Sequence, residues 1–211
     1  MGTKERKVKE KLQRREAILK AARKLFWSEG FSRATMPGIA RACELAPGTL
    51  YLYFPSKEAL YLELLLEGYG MLIERLRKAS RIDGEELAMA SSLIDAFLDF
   101  AKDSPQYFDI IFFVVQRETG SLRCSSFEAS QIERIAEKEN QCKSMILEAL
   151  SMAAGGKGRL LDSSAIDAEA LWSMLAGVAL FWRNEEPARF NAVAGRAKAM
   201  LLAAISAAVK S

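Results

Sequence analysis

Histidine is absent from this 211-residue chain. That removes the commonest general base and the commonest metal ligand, and with them the Ser-His and Cys-His catalytic arrangements. Cysteine is scarce. Cys43, Cys124 and Cys142 are odd in number and have no C-x-x-C spacing, which speaks against a disulfide framework and for idle thiols in a reducing compartment. There is no Gly-rich phosphate loop and no acidic cluster with metal-ligand spacing. An enzyme is therefore not expected, and neither is a cofactor or a metal. Only five prolines occur, and strand-like alternation is rare. No apolar run reaches the roughly 18 residues that span a bilayer as a helix. The N-terminus is charged rather than apolar, unlike a secretory signal. A cytoplasmic location is the expectation.

What is present favours helices. Half of the residues are hydrophobic, enough for a sizeable core, and Ala, Leu, Glu, Lys and Arg dominate, which points to an all-α protein. The net charge of +3 conceals an asymmetry. Residues 1–57 hold 13 Lys/Arg against 5 Asp/Glu, a net of +8, whereas residues 58–211 hold 17 against 22, a net of −5. A basic head on an acidic body is the charge pattern of a phosphate-binding module joined to a non-binding domain. The expected division is a basic head domain over 1–57 and a helical body domain over 58–211.

The informative stretch runs from Thr35 to Lys57. Thr35 is a good helix N-cap and Pro37 suits a first turn. Ile39 and Ala40 face inward and Arg41 outward, and Cys43-Glu44-Leu45-Ala46 interrupts the pattern. Pro47 opens a second short helix carrying Thr49, Leu50, Tyr51 and Tyr53. Phe54-Pro55 closes it, and Ser56 caps the next helix, with Glu58 in its first turn. Two short helices around a tight turn, followed by a third, is a helix-turn-helix layout. The preceding helix, about Arg15 to Glu29, has apolar stripes through Ile18, Ala22 and Leu25 and through Leu19, Ala22 and Phe26. Gly30 is its expected stop. That stripe is expected to pack on Ile39, Leu50 and Tyr51. Residues 1–14 are mostly Lys, Glu, Arg and Gln: either a solvated extension of the helix or a basic arm on DNA.

The ordered signature Ile18, Ala21-Ala22, Leu25-Phe26, Gly30-Phe31, Ala34-Thr35, Ile39-Ala40 and Gly48-Thr49-Leu50-Tyr51-x-Tyr53-Phe54-Pro55-Ser56-Lys57 resembles the DNA-binding domain of the TetR (tetracycline-repressor-like) family of transcriptional regulators. The rest of the chain matches in length and helical texture only. The resemblance implies an all-α protein of about nine helices, in which a three-helix head binds DNA and a helical body binds a ligand and dimerises. The sequence departs from the family at two positions: Glu44 stands where the family usually has Gly in the turn, and Ala46 where it usually has Ser. A non-Gly residue at positive φ costs about 1–2 kcal/mol, and Ala in place of a capping residue about 1 kcal/mol. Either the turn differs in detail, or Pro47 and local packing offset the loss.

On the recognition helix, Pro47 and Gly48 let the backbone approach DNA, the Thr49 hydroxyl can donate or accept, and Leu52 can meet a thymine methyl. Arg33, Thr35, Tyr53 and Lys57 suit phosphates. Tyr51 is expected at the junction of core and phosphate backbone.

The body reads as a long helix from about Ser56 to Ser80, then helices near 85–102, 105–115, 127–154, 164–183 and 187–209. The run Tyr107 to Val115 is apolar enough to be a buried strand, but its Ser-Pro start and helical surroundings favour a buried helix. Residues 118–126 and 157–163 are expected as connections. Aromatic and Met residues beyond the need of the core are candidates for a ligand site between helices: Tyr69, Met71, Met89, Phe97, Phe100, Phe108, Phe112, Met145 and Trp172, with Gln116 and Gln131 for polar contacts and few buried charges. The last two helices are candidates for a homodimer interface through Leu175, Ala176, Ala179, Trp182, Ala197, Leu201 and Ala204.

Three function classes compete. A ligand-responsive DNA-binding regulator, a repressor released from a palindromic operator by a mostly apolar small molecule, explains the motif, the charge split and the body. A helical interaction protein with a vestigial head leaves the basic head idle. An enzyme explains little.

Overall fold

The computed structural model describes residues 3–81, 85–114, 128–154 and 165–209. Among these, nine α-helices and one π-helical segment follow one another and no strand occurs. They are α1 (Thr3–Glu29), α2 (Met36–Ala42), α3 (Pro47–Tyr51), α4 (Lys57–Ala79), α5 (Glu86–Asp103), α6 (Pro105–Asp109), the π-helical Ile110–Val114, α7 (Ala129–Ala153), α8 (Ala165–Trp182) and α9 (Pro187–Val209). Gln116, Cys124 and the two expected connections at 118–126 and 157–163 lie outside the described residues.

The helices group into two compact units. The first ends at Glu67 and the second begins at Gly68, so the division falls inside α4, ten residues beyond the expected limit of the head.

In the first unit, apolar residues three and four apart on α1 and α4 supply the core. Ile18, Ala22, Ile39, Ala40, Leu50, Leu60 and Leu64 are completely buried. Phe26, Phe31 and Tyr61 form a triangle of rings, the closest pair being Phe31 and Tyr61 at 4.8 Å between centroids. Each such pair adds about 0.5–1.5 kcal/mol to the area it buries. Tyr51 does not join this core, since it is 48 % exposed. Two ion pairs tie α1 to α4: Arg15 with Glu63 at 3.0 Å and Arg23 with Glu67 at 2.7 Å.

The second unit is cored by α5, α6, α7 and α8. Phe97, Phe100, Phe108, Phe112, Leu150 and Trp172 are buried. Gly68 sits in α4 where an added Cβ would lie 3.0 Å from the Tyr107 ring. The apolar run after Pro105 is helical, as its context suggests, but it opens from α into π geometry at Ile110. Ser104 stands at the N-cap of α6 without a capping bond from its side chain.

Candidate nucleic-acid interface

The helix-turn-helix is built from local signals. The Gly38 N–H donates to Thr35 Oγ1 at 3.2 Å, capping α2. The turn closes through the Leu45 N–H on the Ala40 carbonyl at 2.9 Å. Glu44 occupies the left-handed region at φ 56°, the conformation its family position reserves for Gly. Ala46 is the N-cap of α3 and supplies no side-chain bond, while Pro47 holds the first helical position. The turn thus holds Glu44 at positive φ and leaves the N-cap of α3 without a side-chain bond.

Burial sorts the recognition residues. Leu50 is fully buried and fixes α3 on the core, whereas Leu52 is 83 % exposed. Pro47 and Gly48 are exposed and Thr49 and Tyr53 half-buried. A Cβ on Gly48 would meet nothing within 4 Å. Thr35, Tyr51 and Lys57 line one open depression of about 390 Å³ together with Ser32, Ser56 and Glu58. Ser56 Oγ accepts from the Ala59 N–H at 3.1 Å and caps α4. Two of the expected phosphate contacts have work within the chain. Lys57 Nζ donates to the Phe31 carbonyl at 2.8 Å, and Arg33 Nε donates to the Glu29 carbonyl at 2.7 Å. Each keeps further N–H donors.

The residues expected to bind ligand divide. Phe97, Phe108, Phe112 and Trp172 meet as one cluster, with centroids 4.3–5.9 Å apart. Tyr69 and Phe100 are buried, and Met89 and Met145 half-buried. Met71 is the more open of these side chains, being 40 % exposed. The Gln131 side chain is used at the start of α7, where its Oε1 accepts from the Glu128 N–H at 2.9 Å.

The body also holds a buried charge that its composition did not suggest. Lys143 is 6 % exposed, and its ammonium donates to Glu139 and Glu169 at 2.6 Å each, 5.9 Å from the Trp172 ring. Burial alone would lower its pKa, but the hydrogen bonds to the two carboxylates outweigh it and hold the ammonium above its usual value. The i,i+4 pair Glu139–Lys143 was readable in the sequence; its burial was not. Burial, with Glu139 adding to it, pushes the Cys142 thiol up to about 12. Burial raises Cys43 as well, so both thiols are poor nucleophiles.

The dimer candidates differ in their exposure within one chain. Leu175, Ala176 and Ala179 are 4 %, 4 % and 0 % exposed within their own chain, because they face the helices of the second unit. Trp182, Ala197 and Leu201 are half-buried and Ala204 is exposed. Among the described side chains, the large apolar ones that α8 and α9 leave open are Met174 at 59 %, Phe181 at 81 % and Met200 at 63 %.

A capped α2, a tight turn and an α3 whose outer surface is bare define a helix-turn-helix head on a helical body. The family model for bacterial regulatory proteins of the tetR family matches residues 18–64. Residues 18–64 therefore carry the N-terminal domain of the tetR family of bacterial regulatory proteins. It is 42 % identical over 64 residues to the HTH-type transcriptional regulator UidR of Escherichia coli K12, covering 30 % of this chain and 33 % of UidR. It is 31 % identical over 100 residues to the HTH-type transcriptional activator FasR of Mycolicibacterium smegmatis, covering 47 % and 46 %. The matched stretches thus span a third to under half of these curated relatives. In overall fold it resembles a tetR-family regulatory protein from Rhodococcus RHA1, with a TM-score of 0.71 at 18 % identity over 91 % of this chain and 96 % of that one.

Proposed function

We propose that the protein is a homodimeric regulator that binds a palindromic duplex operator through α2 and α3 and is released by a mostly apolar small molecule held in its body, acting as a repressor in the cytoplasm. The observation that carries the DNA-binding part is Gly48. Gly48 is the second residue of α3, where Gly costs up to about 1 kcal/mol relative to Ala, yet nothing among the described residues needs the missing side chain, since a Cβ there would meet open space. Close approach of an outside partner to the α3 backbone accounts for it. Leu52 beside it is 83 % exposed, which suits contact with a thymine methyl.

For the effector, the aromatic cluster around Trp172 supports an apolar ligand and Lys143 supports a polar contact. Those rings are packed on one another, so a ligand must part them or enter at their margin. α4 contributes residues to both units and is the element through which occupancy of the body would act on the head. Such coupling typically reaches about 1–3 kcal/mol, a 5- to 150-fold loss of operator affinity, and operator must weaken ligand binding by the same factor.

The test is selection of duplexes from random sequence, followed by titration of wild type and Gly48→Ala. Ala should raise the stability of the head by up to about 1 kcal/mol and lower operator affinity at the same time. A wild type with no preference for any duplex would overturn the function. A Gly48→Ala variant binding as tightly as wild type would remove α3 as the reading element.

A further inference from the structure

α1 is longer than the head requires. Packing of this helix begins at Arg15, whose guanidinium lies 4.4 Å over the Phe54 ring and 3.0 Å from Glu63. From Lys4 to Arg14 every residue is exposed, although the helix is continuous from Thr3. The core of the first unit therefore does not explain about three turns of helix.

The charges on those turns are ordered. Lys4, Lys7, Lys11 and Arg14 recur at spacings of three and four, which places them on one face. The next residue in that series is Ile18, completely buried in the head. At 100° per residue the four cations lie within about 40° of the Ile18 direction, and no acidic residue shares that sector. The carboxylates fall elsewhere, with Glu10 taken up by Arg6 at 2.8 Å. None of the four cations makes an ion pair among the described residues. The base of the extension lies at the helix-turn-helix itself, where Cys43 Sγ, in the turn between α2 and α3, is 4.0 Å from the Ala17 carbonyl. The extension thus leaves the head beside the turn that leads into α3. Its cationic face continues the face with which α1 covers the core of the head.

We propose that residues 4–14 of α1 form a helical arm that lies on the phosphate backbone of duplex DNA flanking each half-site. This rests on the DNA-binding reading above and goes beyond it. The occupant is fixed by charge, since an all-cationic face calls for a dense row of anions. It is fixed also by continuity with the recognition element. At 1.5 Å per residue the arm reaches about 16 Å, or about five base pairs at 3.4 Å each. It adds affinity without reading sequence, because phosphate contacts position and do not specify.

The experiment compares two variants of the full chain that remove equal charge, Lys7→Gln/Lys11→Gln on the cationic face and Arg6→Gln/Lys9→Gln on the other sides of the helix. Gln keeps the helix propensity of Lys and Arg, and far-UV circular dichroism verifies it. Binding to a duplex obtained by selection is titrated over a range of salt, on one duplex with about ten base pairs beyond each half-site and on another trimmed to the half-site edges. Loss of two phosphate contacts should lower the salt slope by about 1.8. That corresponds to about 30-fold weaker binding at 0.15 M salt for the first variant on the long duplex alone. The second variant should match wild type on both. Equal behaviour of the two variants, or a loss that persists undiminished on the trimmed duplex, would overturn the arm while leaving DNA binding by α3 intact. A wild type that selects no duplex would overturn both readings together.

Discussion

The ammonium of Lys57 donates to the Phe31 carbonyl at 2.8 Å and lies 4.3 Å above the Phe31 ring. One side chain therefore pins the start of α4 to the segment between α1 and α2, on the rim of the depression that Thr35 and Tyr51 also line. A lysine has three N–H donors, so the contact with Phe31 leaves two for a phosphate. Lys57→Ala is expected to do two things at once. It should weaken binding to all duplexes alike and lower the salt slope by about one. It should also destabilise the head by about 1–2 kcal/mol, through loss of a charge-assisted hydrogen bond and a cation–π contact. Anisotropy titrations against salt, paired with urea unfolding, separate the two effects. Unchanged unfolding would mean that the Phe31 contact contributes nothing in solution.

Glu44 at φ 56° and the uncapped Ala46 make the turn before α3 a place where stability can be gained. Glu44→Gly should relieve about 1 kcal/mol of backbone strain, and Ala46→Ser should add about 1 kcal/mol through a bond to an α3 amide. Thermal unfolding of both single variants and the double variant measures this. A midpoint that falls for Glu44→Gly would show that the Glu44 side chain contributes more than its backbone costs.

Most of the head was legible because its signals are local. Thr35, Pro47, Phe54-Pro55 and Ser56 act on their immediate neighbours, and the bounds of α2, α3 and α4 follow from them. The left-handed Glu44 was only one of two outcomes that the residues left open, since the sequence does not show whether the turn keeps a positive φ without Gly. The reach of α1 was legible only as one alternative, a solvated extension of the helix, because polar residues ahead of Arg15 carry no apolar period. Burial in the body was harder still. Ala179 and Phe181 are two residues apart on an almost wholly apolar helix, and only the packing of α8 on its neighbours decides which is covered. Lys143 shows the same limit from the other side, since nothing in the sequence of α7 marks Lys143, rather than Lys138, as the lysine that lies beneath Trp172.

Lys143 gives the second unit a pH dependence of definite sign. Its pKa is raised above the usual 10.5 by Glu139 and Glu169. A cation whose folded pKa is raised contributes its full stability below the unfolded pKa and loses it as pH rises through the folded value. Wild type should therefore lose stability relative to Lys143→Met as pH rises above the usual lysine value and through the raised folded one, while the two respond alike well below it. The carboxylate partners are partly exposed, at 26 % and 62 %, so the variant should be only about 1 kcal/mol less stable at pH 7. Urea unfolding at pH 8 and pH 11 measures both quantities. Parallel curves at the two pH values would mean that the two ion pairs do not persist in solution.

The contrast between Ala179 and Phe181 also gives a test of the proposed dimer. Both lie on α8, but Ala179 is completely buried within its own chain while Phe181 is 81 % exposed and Met174, seven residues before it, is 59 % exposed. Large apolar side chains left open at helical spacing, with Met200 on α9 also exposed, are the face a second copy would cover. Phe181→Glu should leave each chain folded, because the side chain has no neighbours in its own core to lose, and should weaken self-association by at least about 2 kcal/mol per copy. Operator affinity should then fall steeply, since one chain can occupy only one half-site. Ala179→Arg should instead unfold the second unit, because the guanidinium would be forced into a filled core. Light scattering at micromolar concentration, with circular dichroism on the same samples, distinguishes a folded monomer from an unfolded chain. If Phe181→Glu remains dimeric while Ala179→Arg gives a folded monomer, the interface lies on the Ala179 side of α8 and the subunits must repack to expose it.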